Sequence, residues 1–392
     1  MTSAQTAVQR TTLPIGILAS AVFLSSIGSR IIDPLLSVLA EDFHTSIPAV
    51  SVLVAAFTLP YGLFQIIIGP IGDRVGKLRV MLVALLGYCL ATAGCAFSTG
   101  LPMLTVLRVM AGASSAGLIP MGLAYIGDAV PYAERQAALG RFLNGAVLAQ
   151  VLAGPLGGVF GQYIGWRGVF LLLSACALVA AAVLSSRLGE LHDPPVNSHF
   201  SVRNYLLLAR RPFSRRLLFC GTLDGMLLVG CFPFLAPYMA AQFGLSDFAV
   251  GLVLACFGLG AWLYIRQARR LVPILGESGM VLAGSVLMAM ALSLGMLTPH
   301  WLGFIAVEFV LGFGFFMLHS VLLAGATEIL PGARATAVAS FAFMMFMGQS
   351  LGALAMGGLI ATIGYQPAFR LDASGILVLG VLLWVLLRNR TA

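Results

Sequence analysis

Apolar residues run through this chain in blocks of roughly twenty, separated by short polar stretches that hold most of the charge. In order, the blocks fall at about 13–39, 49–72, 80–97, 102–127, 137–161, 168–187, 216–240, 248–265, 279–297, 301–327, 335–362 and 371–387. A helix rises 1.5 Å per residue, so roughly 20 residues cross the ~30 Å hydrocarbon core of a bilayer. The pattern predicts an all-α integral membrane protein with twelve transmembrane helices. The connecting loops are too short to hold a separate soluble activity. The first block follows a basic residue, as a signal peptide does, but it continues through Arg30 and Asp33 to Leu39 and reads as a retained span.

The pattern also repeats. Shifted by about 200 residues, Ala49-Val50 falls on Ala249-Val250, Phe57 on Phe257, Pro131 on Pro331 and Gln150 on Gln349. Gly157-Gly158 falls on Gly357-Gly358, and Gly165-Trp166-Arg167 with Phe170 falls on Gly364-Tyr365-Gln366 with Phe369. A near-constant offset over such a length predicts two pseudo-symmetric six-helix bundles, 1–190 and 216–392, with a cytoplasmic linker at 191–215. Parallel repeats of this kind suit a transporter that binds its solute between the halves. The linker, with Asp193-Pro194-Pro195, Asn197, Ser198, Ser201 and a basic cluster, reads as a solvated connector with a surface-lying stretch.

Composition agrees with the pattern: 60% of the 392 residues are hydrophobic and only 9% are charged, against roughly 25% charged in soluble domains. The net charge of +8 is asymmetric. With both termini inside, eighteen of the 22 cations fall in inner loops, while Arg167 and Arg370 lie outside and Arg30 and Arg108 within spans. That bias orients the chain with both ends cytoplasmic and makes anionic lipid, rather than nucleic acid, the partner of the positive charge. The six cysteines (Cys89, Cys95, Cys176, Cys220, Cys231 and Cys256) all fall in spans, lack metal spacing and predict neither disulfides nor a metal site. No phosphate-binding Gly-x-x-x-x-Gly-Lys-Ser/Thr, no His-Glu-x-x-His and no nucleophile constellation is present, so no enzyme activity is expected.

Between the second and third blocks stands Gly69-Pro70-Ile71-Gly72-Asp73-Arg74-Val75-Gly76-Lys77-Leu78-Arg79, an acid and three cations compressed into a tight turn. Gly-x-x-x-Asp-Arg-x-Gly-Lys resembles the motif between the second and third helices of the major facilitator superfamily of secondary transporters. The resemblance covers essentially the whole chain. Leu104-x-x-x-Arg108-x-x-x-Gly112 is similar to that family's fourth-span pattern, and Gly145 with Gly154-Pro155-Leu156-Gly157-Gly158 to its antiporter-associated helix-bend motif. This last match departs by one residue between the Pro and the Gly pair, and Gln150 stands where Gly is usual. Leu78 stands in place of a second cation, and the matching stretch 266–279 keeps cations and Gly276 but has no Asp-Arg pair.

The resemblance implies a gate in which Asp73 pairs with a helix end of the other half, with Asp128 and Arg79 as relay partners. It also implies a proton-coupled exporter of a drug-like compound or metabolite, most like the drug and metabolite efflux branch. Uptake by symport, passive facilitation and a sensor that binds without transporting are the alternatives.

Ionisable residues inside spans are costly, at least ~2.5–3.5 kcal/mol each on insertion scales, and are functional candidates for that reason. They are Arg30 and Asp33 in span 1, Arg108 in span 4, Asp224 in span 7 and Glu308 in span 10. Arg30 and Asp33 share a face at i,i+3. Comparable depths allow Asp33 to meet Arg108, and the repeat sets Arg108 opposite Glu308 as a pseudo-symmetric pair facing one cavity. Tyr61, Gln65, Asn144, Gln150, His319 and Gln349 are candidate cavity polar groups or interhelical glue. The expected partners are a small solute, protons and lipid, with no cofactor beyond the proton gradient, for a monomer in a bacterial inner membrane.

Overall fold

The apolar blocks fall on helices in the computed structural model, which describes residues 15–189, 191, 202–330 and 334–391. Arg10, Pro331 and the linker positions 193–201 lie outside the described residues. The first half comprises α1 (Ile15–Arg30), α2 (Leu36–Asp42), α3 (Ile47–Val50), α4 (Val52–Val75), α5 (Lys77–Ala96), α6 (Leu101–Ser115), α7 (Leu118–Ala129) and α8 (Tyr132–Arg187). The connecting helix α9 (Val202–Arg210) leads to α10 (Pro212–Asp224), α11 (Leu235–Phe243), α12 (Asp247–Gly295), α13 (Leu302–Glu328), α14 (Arg334–Ile363) and α15 (Tyr365–Thr391).

Among the described residues, ten helical stretches are long and apolar enough to cross a membrane. Two of them, with 51 and 49 residues, are each about 75 Å long at 1.5 Å per residue, enough for two crossings. Both double back at a glycine. In α8, Gly145 lies against Ala19, Gly157 against Pro34, and Trp166 beyond Gly165 reaches Asp42. Val179 and Val183 then return to line a groove with Gly16 and Ser20. In α12, Gly260 packs on Phe309 and Tyr264 bonds Ser320 at 2.6 Å. Beyond Gly276 the order reverses, with Gly284 on Gly314 and Gly295 on Val307. Gly165 and Gly276 hold φ of 70° and 65°, where a side chain would strain the backbone.

The repeat seen in the sequence extends to backbone detail. Left-handed residues occur in register at His44 and Gly244, Gly76 and Gly276, and Gly165 and Gly364. Ser46 and Ser246 each cap a helix by accepting from the backbone N–H three residues on. Pro34 and Pro233 each sit in a 3-10 turn that interrupts the first helix of its half. Gly112 packs on the carbonyl of Phe57, and Gly312 on that of Phe257.

Two apolar clusters form the cores: one draws on residues from Leu18 to Leu184 together with Ala353, the other on residues from Leu208 to Leu387. The stretch α9 belongs with the second, burying Leu208 there, and Arg211 donates to the carbonyl of Ile329 at 3.1 Å. Helix α10 starts at Pro212, so residues 212–215, expected in the linker, are helical because Pro at the first turn costs no hydrogen bond.

The halves meet along two seams. On one, Gly154 and Gly158 of α8 lie on the backbone of Gly251 and Asp247 in α12. On the other, Thr58 of α4 bonds Ser350 of α14 at 2.8 Å, with Tyr61 edge-on to Phe346. Both seams lie toward the end that carries Asp42, Trp166 and Asp247, away from the Asp73–Lys77 turn.

Candidate functional site

A cavity of about 390 Å³ lies between the halves. Its wall is largely apolar and aromatic, with a few polar groups at defined places: Arg30 and three serines from α1, Tyr61 and Gln65 from α4, Gln150 from α8, His319 from α13, Gln349 from α14 and Asp372 from α15. That composition, apolar with a few placed polar groups, is typical of small-molecule sites. Four expected site residues, Arg30, Gln65, Gln150 and His319, therefore line it, together with Tyr61 and Gln349. Asn144 is exposed and does not.

Arg30 is held at the wall by two contacts. Its guanidinium pairs with Asp33 at 3.5 Å and lies over the Phe232 ring of the other half at 4.1 Å. One guanidinium nitrogen of Arg30 and one carboxylate oxygen of Asp33 are buried without a hydrogen-bond partner. Asp33 stands deeper than the sequence suggested, because the first span runs on to Asp42 after the break at Pro34. On the opposite wall the His319 ring shares a 2.7 Å hydrogen bond with Asp224, which is fully buried, and stacks on Phe315 at 5.0 Å. Asp224 ends α10 where the helix widens into a π turn over Gly225–Val229, a distortion found frequently at functional sites.

Two expected meetings do not occur. Arg108 makes neither a hydrogen bond nor an ion pair with Asp33. It donates to the carbonyl of Gly28 at 2.8 Å and of Leu53 at 3.3 Å, and sits 4.4 Å from the Phe57 ring. Nor do Arg108 and Glu308 face a common cavity. Both are buried off its wall, and both carboxylate oxygens of Glu308 lack partners. The physical reason is the close crossing at Gly112 and Gly312. It presses α6 and α13 against α4 and α12, so that Phe57 and Phe257 form the wall instead.

At the far turn, Gly76 (φ 103°) joins α4 to α5, and Gly72 admits Met121 of α7 at close range. Gly69 meets nothing nearby. Lys77 is 3% exposed and bridges Asp128 at 2.6 Å and Asp73 at 3.6 Å. The cation set between the two acids is Lys77, whereas Arg74 and Arg79 are exposed. Asp73 is engaged here within its own half, since the seams that join the halves lie at the other end. In α8 the motif glycines act as contact points: Gly145 on Ala19, Gly157 on Ile31 and Pro34, Gly154 and Gly158 on α12. Pro155 sits inside the helix, and the non-helical dihedrals in α8 are at Gly165, in the gap between the apolar blocks at 137–161 and 168–187.

The sequence model described as the Major Facilitator Superfamily matches residues 18–232 and 217–392. The chain belongs to that superfamily. A chloramphenicol resistance protein of Streptomyces lividans is 26% identical over 378 residues, covering 95% of both chains. The MFS-type transporter YceJ of Bacillus subtilis is 27% identical over 339 residues, covering 85% of each. The crystal structure of a bacterial homolog of the human lysosomal transporter Spinster, inward-facing and unoccupied, superposes with a TM-score of 0.77 at 19% identity over 96% of each chain. Relatives and fold are those of multi-pass membrane transporters, among them an efflux-type protein, and not of enzymes.

In this member of the superfamily the residues that sequence reasoning missed are Asp372, Cys231 and Ser25, Ser26 and Ser29. Asp372 was hidden by the apolar pattern, which starts the last span at 371. The helix begins at Tyr365, which carries Asp372 about two turns into it. The serines gave no signal, because small hydroxyl residues are frequent wherever membrane helices pack.

Proposed function

We propose that the chain is a secondary active transporter that exports a small solute, a drug-like compound or a metabolite, in exchange for protons by alternating access. The observation that carries this reading is the cavity between two repeated halves that are sealed to each other at one end. A binding site at the repeat interface is what rocking of one half against the other requires. The resemblance of the whole chain to a chloramphenicol resistance protein supports export of a largely apolar compound.

Twelve spans form two six-helix bundles, 1–190 and 216–392, joined by 191–215, with both termini on the cytoplasmic side of a bacterial inner membrane. In that orientation the Asp73–Lys77 turn is cytoplasmic and the Thr58–Ser350 seam is outer, the arrangement of an inward-facing transporter. His319 with Asp224, and Arg30 with Asp33, are the groups able to hold or exchange a proton beside the solute. The membrane potential, at about 2.3 kcal/mol per charge per 100 mV, supplies work to such an exchange. The protein works as a monomer, with lipid around it and no resident cofactor.

The test is dissipation of an acid-inside pH gradient in inside-out vesicles challenged with lipophilic cations, antibiotics, sugars and organic acids. Proton release triggered by at least one class, and lost without the protein, is the expected result. Solute moving with protons in the same direction would establish symport instead. Solute flux without protons would leave facilitation, and binding without flux would leave a sensor.

A further inference from the structure

We infer that Asp372, with Cys231 beside it, anchors a positively charged group of the solute, which makes the preferred solute an aromatic organic cation. The inference rests on the transport reading above and narrows its substrate class. Asp372 lies on α15 and lines the cavity, yet is only 6% exposed. One carboxylate oxygen accepts from the Cys231 thiol at 3.4 Å, and the other is buried without any hydrogen-bond partner. A buried carboxyl held only by a neutral thiol takes its charge when a counter-ion lies beside it, and a cationic solute in the cavity would supply one.

Charge balance along the wall points the same way. Among the described residues, the cavity is lined by one arginine, one histidine and one acid. Arg30 is already faced by Asp33 and His319 by Asp224, both from behind the wall. Asp372 has no such partner among the described residues, so it is the one acid on the wall left for a solute cation to pair with. An anion would have to win Arg30 away from Asp33 and from the Phe232 ring, while lying near an uncompensated carboxylate. An aromatic ring stands beside the acid: Phe369, one turn before Asp372, lines the cavity, while Phe232, adjacent to Cys231, already carries the Arg30 guanidinium on its ring.

A packing role does not account for the acid. In the register that sets Trp166 on Tyr365 and Phe170 on Phe369, Asp372 falls on Leu173, a buried apolar residue of the first half. The same helix position is therefore filled without a carboxylate in the sister bundle.

Full-length protein in lipid nanodiscs, in mildly alkaline buffer, would be titrated with radiolabelled tetraphenylphosphonium and with neutral triphenylphosphine oxide. Wild type is expected to bind the cation more tightly than the neutral compound. Asp372→Asn should weaken the cation by about tenfold or more while leaving the neutral compound unchanged, and Asp372→Glu should restore most of the cation affinity. Unchanged cation affinity in Asp372→Asn overturns the assignment. So does failure of wild type to bind the cation, or joint loss of both compounds that Asp372→Glu does not restore. Flux of a different solute class alongside such a failure would leave the transport reading standing. Asp372-dependent cation binding without flux would support the anchor and sink the transport reading.

Discussion

Arg108→Ala is expected to destabilise the folded protein by about 3–5 kcal/mol, the range for emptying a large buried site. The side chain is 2% exposed and its guanidinium ties three helices together: it donates to Gly28 of α1 and Leu53 of α4 from its own place on α6. Removing it leaves a void beneath Phe57, whose ring it covers, and takes a donor from two buried carbonyls. Arg108→Lys keeps the charge but not the planar fork that reaches both carbonyls, so it should fall between wild type and alanine. Thermal unfolding in nanodiscs reads the order wild type, lysine, alanine. An alanine variant as stable as wild type would mean that Arg108 is not the strut these contacts describe, and would return it to the role of a coupling residue free to move.

His319→Ala and Asp224→Asn should each abolish solute-driven proton release, yet differ sharply in stability. Asp224 is fully buried and bonds His319 at 2.7 Å through one carboxylate oxygen, with the second oxygen unpartnered. Deleting the imidazole strands a buried carboxylate, and breaking such a pair from one side typically costs about 3–5 kcal/mol. Asp224→Asn keeps the shape and one hydrogen-bonding oxygen while removing the charge, so it should cost about 1 kcal/mol. The double variant Asp224→Asn with His319→Gln should recover much of the stability lost in His319→Ala without recovering transport. Thermal midpoint and proton release measured on the same vesicles separate the two effects. If all three variants still release protons at the wild-type rate, the pair is structural glue.

The fold was legible because both of its signals are coarse. Runs of about twenty apolar residues mark spans whatever their neighbours. The constant offset showed as paired landmarks such as Phe57 with Phe257, which the structure realises as matched crossings at Gly112 and Gly312. The site was half legible. Ionisable residues stand out in an apolar helix, but which way they face does not: the lipid and the bundle interior are equally apolar, so the pattern carries little directional information. Arg30 and His319 turned toward the cavity, while Arg108 and Glu308 turned into their own bundles. Asp372 was lost through a span boundary set six residues too late, the weakest quantity in any such reading. Lys77 was visible in the turn motif, but its burial between Asp73 and Asp128 depends on how α7 packs, which no local pattern encodes.

The central claim is that the two halves rock about the cavity, so that the Thr58–Ser350 seam must open in every transport cycle. The hydroxyls of these residues are 2.8 Å apart, close enough that a Thr58→Cys, Ser350→Cys pair should form a disulfide across α4 and α14. Solute-driven proton release would be measured in vesicles carrying this pair before oxidation, after oxidation, and after reduction, with each single variant as a control. The account predicts normal release when reduced, almost none when crosslinked, and recovery on reduction. Undiminished release with the crosslink fully formed would contradict it, because solute would then be crossing a protein whose outer seam cannot part.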